Sequence, residues 1–227
     1  MVALTVAMMS SAMPAVAQEY SSDDVYLYGY REALRLQEKG MTGRSSVLFE
    51  DLARNTGKAD PLAMSVLEDV VMQVPGYETR MAAFIHNHPH SAYIGQIRFA
   101  HASNLFDACD YSAALALLED LKVKSLYRSQ VDDYLFKRAY CLLELGDYDK
   151  AREAFVKVEN RPHTDYSGPS RYALGCIHYR NGNFDEALKW FEKASSDDRF
   201  SEVADYFILE CRFMLKDYEY VTANAQR

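Results

Sequence analysis

Three imidazoles stand at alternate positions in His86-Asn87-His88-Pro89-His90. That spacing suits a divalent metal only if the backbone is extended. Pro89 bars a helix through His90, because it lacks an N–H and its ring clashes with the preceding turn. A helical His86/His90 pair is therefore excluded, no acidic fourth ligand lies nearby in sequence, and the segment reads as a loop. His101, His163 and His178 are isolated. Cys109, Cys141, Cys176 and Cys211 form no CxxC pair, so neither a zinc site nor a thioredoxin-like motif is indicated. Gly40-Met41-Thr42-Gly43-Arg44-Ser45 lacks the lysine and the preceding strand of a phosphate loop. No GxSxG or HExxH occurs. These residues predict no catalytic group, no metal and no cofactor, and the chain reads as a non-enzyme.

The cysteines are 32, 35 and 35 residues apart, and that near-constant spacing leads to the elements that carry them. Gly40, Gly76, Cys109, Gly146, Gly182 and Lys216 are turn residues 36, 33, 37, 36 and 34 apart, the period of a two-helix repeat. Seven residues before the turn stand Ala33, Ala102, Ala139 and Gly175, with Leu209 as the exception. Five after it stand Ser45, Ala114, Ala151 and Ala187, with Val221 as the exception. Small side chains there let two helices approach closely. Nine after the turn come Phe49, Leu118, Phe155 and Phe191, large enough to fill the space between successive pairs. Apolar positions recur at three and four, the helical period. Asp60-Pro61 and Ser91 offer helix starts, and Pro162 and Pro169 mark breaks. Asp132-Asp133 and Asp197-Asp198 sit where helices begin, where they complement the helix dipole. Equivalent cysteines on neighbouring pairs would lie about 8–10 Å apart. A disulfide needs Cα atoms within about 7 Å, so all four are expected free, as small buried hydrophobes.

The pattern resembles the tetratricopeptide repeat, most clearly in Gly146-Asp147-Tyr148-Asp149-Lys150-Ala151 with Phe155 and in Gly182-Asn183-Phe184-Asp185-Glu186-Ala187 with Phe191. Residues 95–128, 132–165 and 168–201 follow it closely and 26–59 fairly. Residues 60–91 are degenerate, with Asp69 and Met81 in place of small residues, and 202–227 are incomplete. The whole is similar to exported, periplasmic tetratricopeptide proteins of Bacteroidetes. That resemblance implies an all-α solenoid of about six hairpins in a right-handed superhelix. It also implies a scaffold of the cell envelope. The last unit stops inside its second helix, so the sequence is expected to be the N-terminal part of a longer protein or to have been cut short.

On the first helix of each repeat, residues ten, six and three before the turn share one face. They read Phe99, Ser103, Phe106; Phe136, Tyr140, Leu143; Tyr172, Cys176, Tyr179; and Tyr206, Glu210, Phe213. In tetratricopeptide proteins this face lines a concave groove. The resemblance thus implies a protein-binding groove of Phe99, Phe106, Phe136, Tyr140, Tyr172, Tyr179, Tyr206 and Phe213, with rings partly exposed. Its partners would be other proteins or peptide segments. The alternative is a glycan stacked on the same rings, for which Gln96, Asp107, Asp133, Glu144, Arg180 and Glu210 are the polar residues on offer.

The composition, 49% hydrophobic and 26% charged, is that of a folded chain, and the net charge of −8 disfavours nucleic acid as a partner. Residues 2–17 carry no charge and end in Ala15-Val16-Ala17, a small-x-small cleavage pattern, so residues 1–17 read as a signal peptide and 18–227 as the solenoid. No Lys or Arg precedes that apolar run, which the pattern normally has. With roughly 20 apolar residues needed to span a bilayer, this segment is too short, and the protein is peripheral to a membrane at most. Export to the periplasm or cell envelope of a Gram-negative cell is expected. Mass spectrometry of the native protein should then find a chain beginning at Gln18; an uncleaved N-terminus would overturn export by this route.

Overall fold

The structure, a computed structural model, describes residues 22–161 and 164–224. The signal segment, Pro162 and His163 lie outside the described residues. Everything regular among the described residues is helical. In chain order the α-helices are α1 (Ser22–Glu38), α2 (Thr42–Thr56), α3 (Ala59–Val71), α4 (Tyr77–Asn87), α5 (Ile94–Asp107) and α6 (Tyr111–Asp120). They continue with α7 (Val131–Glu144), α8 (Tyr148–Glu159), α9 (Ser167–Arg180), α10 (Phe184–Ala194), α11 (Ser201–Met214) and α12 (Tyr218–Asn224). The chain forms two compact units, one up to Ser65 and one from Val66 on.

The turn residues carry a common backbone signature. Gly40, Cys109, Gly146, Gly182 and Lys216 all lie in the left-handed region, with φ between +62° and +81°. Each follows the last turn of a first helix and closes it with a pair of bonds. At Gly146, its own N–H donates to the Leu143 carbonyl (3.0 Å) and the next N–H, of Asp147, to the Leu142 carbonyl (2.9 Å). This is the Schellman closure, which satisfies carbonyls the helix leaves orphaned. Asp110 and Asp147 then cap the second helices, their carboxylates accepting from the Ala113 and Lys150 N–H groups.

One turn departs from the sequence reading. In the degenerate hairpin the residue that closes α3 is Gln73 (φ +51°), and Gly76 (φ +83°) follows at the start of α4. The Val74 N–H reaches the Asp69 carbonyl and the Gln73 N–H the Val70 carbonyl, the same closure three residues early. The loop is longer, so the position seven before the true turn is Val66, not Asp69, and Val66 is fully buried. Asp69 is held by an ion pair to Arg80 across the hairpin. Two smaller readings also change. Pro169 sits inside the first turn of α9, where its missing N–H costs nothing. Asp132 and Asp133 do more than complement the dipole of α7. Asp132 pairs with Arg161, and Asp133 accepts from Lys137 Nζ and from the Tyr166 hydroxyl, both at 2.8 Å.

Within the first unit, Gly29 lets α1 lie close to α2, since a Cβ there would stand 2.8 Å from the Leu52 side chain. Ala33, Ser45 and Phe49 are fully buried. In the second unit the core is a row of clusters, each joining a second helix to the first helix of the next pair. Leu118 of α6 packs with Tyr134 and Cys141 of α7; Phe155 of α8 with Leu174 and Ile177 of α9; Phe191 of α10 with Ile208 and Cys211 of α11. Ala102, Ala114, Ala139, Ala151, Gly175 and Ala187 sit in the hairpin seams, and a Cβ on Gly175 would meet the Phe191 ring at 2.6–2.9 Å. An arginine on α7, α9 and α11 ties each to the second helix before it: Arg138 to Glu119, Arg171 to Glu159 and Arg212 to Glu192.

Two substitutions test this account by denaturant unfolding. Gly175→Ala should cost about 1–3 kcal/mol, the usual price of overpacking a close-packed seam. Cys109→Gly should instead stabilise by about 1 kcal/mol, because a left-handed residue with a Cβ carries that strain. No change in either would contradict the seam and the turn geometry respectively.

Candidate functional site

The face predicted to bind partners lies on the first helices α5, α7, α9 and α11. Its rings are organised by position. Those three before the turn pair edge-on with the aromatic two after it: Phe106 with Tyr111 at 5.7 Å, Tyr179 with Phe184 at 5.4 Å, Phe213 with Tyr218 at 5.7 Å. Each pair clasps the mouth of its own hairpin. Two of the rings ten before the turn are covered by the residue preceding the next first helix. Phe136 stacks on Tyr166 at 4.6 Å and Tyr172 on Phe200 at 5.5 Å. Nothing in a single repeat signals this, since Tyr166 and Phe200 lie outside the repeat motif.

Exposure therefore varies along the stripe. Phe99 is only 4% exposed and belongs to the core with Leu118 and Tyr134, so its expected role as a groove ring is corrected. Phe106, Phe136, Tyr140, Tyr172 and Tyr179 are half-buried. Tyr206 (58%) and Phe213 (53%) are open. Tyr179 also touches Phe207 at 5.5 Å, which makes it more structural than an exposed ring would be.

Polar groups are interleaved with the rings. Lys137 Nζ stands 5.8 Å from the Phe99 ring centroid and 5.6 Å from that of Phe106, and it is neutralised by Asp133. Arg180 lies over the Tyr148 ring at 4.4 Å. The Tyr179 hydroxyl donates to Glu210 Oε2 at 3.5 Å, and burial, with Glu144 beside it, raises the pKa of Tyr140. The phenols accordingly titrate high. Burial, with Cys176 beside it, pushes Tyr172 up to about 12, and a hydrogen bond to the Cys109 side chain, with some desolvation, does the same for Tyr111. All remain neutral donors at physiological pH.

The other candidates fall elsewhere. His86 lies in the last turn of α4, His88 packs its ring on Phe84 at 4.9 Å, and His90 is exposed in the following turn. Among the described residues no group of three or more His, Cys, Asp or Glu is placed to hold a metal ion. An open cleft of about 410 Å3 lies beside the long loop after α3, lined by Gln73, Val74, Tyr77, Glu78 and Asn104. There the Tyr77 hydroxyl meets His101 Nδ1 at 3.1 Å, and burial lowers the pKa of that imidazole. All four cysteines are free; Cys141 and Cys211 are buried, but Cys109 is exposed at its turn, against expectation.

Residues 99–163 and 170–198 match two family models described as tetratricopeptide repeat. Those residues are tetratricopeptide repeats. Among solved structures it is similar to MamA of strain AMB-1, at 18% identity and a TM-score of 0.58, over 78% of this chain and 94% of that one. It is also similar to a tetratricopeptide repeat protein from Parabacteroides merdae, at 15% identity and 0.58, covering 87% and 76%. The apo form of RapI gives 12% identity and 0.64, covering 98% and 68%. At such identities the likeness is one of fold. No curated protein matches the chain in sequence. Tetratricopeptide repeats are in general scaffolds that bind other proteins, and the fold supports that role for this chain.

Thiol reactivity tests the local environments. Burial pushes the Cys141 and Cys211 thiols up to about 11, whereas thiolates are what alkylating agents attack. At neutral pH iodoacetamide should label Cys109 first, with Cys141 and Cys211 protected until the protein unfolds. Fast labelling of Cys141 in the native state would place α7 wrongly.

Proposed function

We propose that this scaffold works in the bacterial cell envelope and binds extended or helical segments of other proteins on the aromatic face of α5, α7, α9 and α11. The observation that carries the reading is the run of half-buried and open rings from Phe106 and Tyr140 through Tyr172 and Tyr179 to Tyr206 and Phe213. Interfaces favour aromatic residues, because their large area is buried at low entropic cost. Export is supported by the Ala15-Val16-Ala17 pattern, and no described helix is long and apolar enough to cross a membrane. The polar residues beside the rings are mostly committed: Asp133 to Lys137 and Tyr166, Glu210 to Tyr179, Arg180 to Tyr148. That favours a peptide over a sugar, which would need them free.

The test pairs binding with stability. Capture from envelope extract should fall strongly with Tyr140→Ala and Tyr206→Ala, while Tyr206→Ala costs roughly 1 kcal/mol or less, as exposed substitutions do. Phe191→Ala, which empties a fully buried site, should cost about 3–5 kcal/mol. If Tyr206→Ala melts the protein as severely as Phe191→Ala, or leaves capture unchanged along with Tyr140→Ala, the stripe is packing and not a binding face.

A further inference from the structure

The repeat makes two neighbouring places on this face directly comparable. Two residues after its turn, one hairpin carries Tyr111 and the next Tyr148; two residues before the following turn stand Glu144 and Arg180. In the second place the chain fills the tyrosine face itself, with the Arg180 guanidinium 4.4 Å from the Tyr148 centroid. One repeat earlier the same neighbour is a carboxylate. Glu144 is exposed and stands one helical turn after Tyr140 on α7, close enough that its charge raises the pKa of both Tyr140 and Tyr111. Tyr111 and Tyr140 are 5.8 Å apart at 60°, with Phe106 at 5.7 and 5.5 Å from them, so three rings and a carboxylate converge. Among the described residues no Lys or Arg lies over Tyr111 or Tyr140; Lys137, the nearest cation in the stripe, sits on Phe99 and Phe106 with Asp133 as its counter-ion.

From this juxtaposition we infer that Tyr111, Tyr140 and Glu144 form a subsite for an arginine or lysine side chain of the bound protein segment. The inference rests on the reading of this face as the binding face and specifies its partner as basic. An arriving cation gains the ring faces, as Arg180 does on Tyr148, and in addition a carboxylate that Arg180 lacks there. The net charge of −8 steers such a segment toward the protein, and salt weakens the approach.

The probe is a fluorescein-labelled peptide of alternating leucine and arginine, with a second peptide in which citrulline replaces every arginine at the same shape without the charge. Anisotropy titration of the full chain should show the arginine peptide binding about tenfold more tightly, a cation–π contact plus an ion pair supplying that factor. Glu144→Gln should remove most of the difference. Glu153→Gln, an exposed carboxylate of α8 with the same change in net charge, should leave affinity within about twofold, and thermal melts should show both variants folded. Equal binding of the two peptides, equal losses from the two glutamine variants, or no binding of the arginine peptide at millimolar concentration would overturn the subsite. If the two peptides bind equally and Tyr140→Ala weakens both, the face still binds segments and only the basic partner is wrong.

Discussion

The contact between Phe191 and Gly175 shows the constraint on which the repeat depends. A full aromatic ring on the second helix of a hairpin lies where the first helix has no side chain, so close that a single added carbon would stand 2.6 Å from it. The ring can then reach past the seam and stack on Phe207 of the next first helix, 4.9 Å away and nearly parallel. One large group, admitted by one small group, thus serves both the hairpin and the junction to its neighbour. Phe155 and Leu118 do the same with Ala139 and Ala102 opposite. A solenoid has no central core, so its stability is the sum of such local units and their interfaces. Each unit must carry the pairing for itself, and the period follows from that requirement.

The same requirement limits what the aromatic face can be. A ring that stands on the first helix is close to the next pair, and the fold uses several of them. Phe99 is taken into the core, Phe136 and Tyr172 are capped by Tyr166 and Phe200, and Phe106, Tyr179 and Phe213 clasp their hairpins. What is left to a partner is the uncovered part of each ring and the charges set between them. Specificity on such a surface comes from the charges rather than the rings alone, because an exposed ring accepts almost any apolar group while a carboxylate selects a cation or a donor.

The ties between repeats show a second economy. Asp132 and Asp133 open α7, where a negative charge already favours the helix, and the same carboxylates reach Arg161 and Tyr166 on the chain leading into α9. Partly exposed pairs of this kind contribute modestly to stability.

The fold was legible from residue types because its governing contacts recur at fixed spacing. Alanine or glycine seven before a turn, a small residue five after, and Phe or Leu nine after are local statements, and the helices and buried rings lie where those statements put them. The turn positions were legible for the same reason, since the closure acts over six residues, and the structure gives even Cys109 and Lys216 left-handed backbone there. Where a loop lengthens, the count slips: Gly76 marks a real left-handed turn residue, but Gln73 closes α3, and only the backbone bonds to Val70 and Asp69 distinguish them. The binding face was less legible. Spacing of four and three put Phe99 beside Phe106 and Tyr140, but burial depends on what the neighbouring pair brings, and Leu118 and Tyr134 close over Phe99. Tyr166 and Phe200 cover their partners from outside the motif, and Tyr140 meets Tyr111 from the next repeat. Those contacts join residues some thirty positions apart, so sequence determined which side of each helix the rings occupy, and only the stacking of one pair on the next decided which of them remain open.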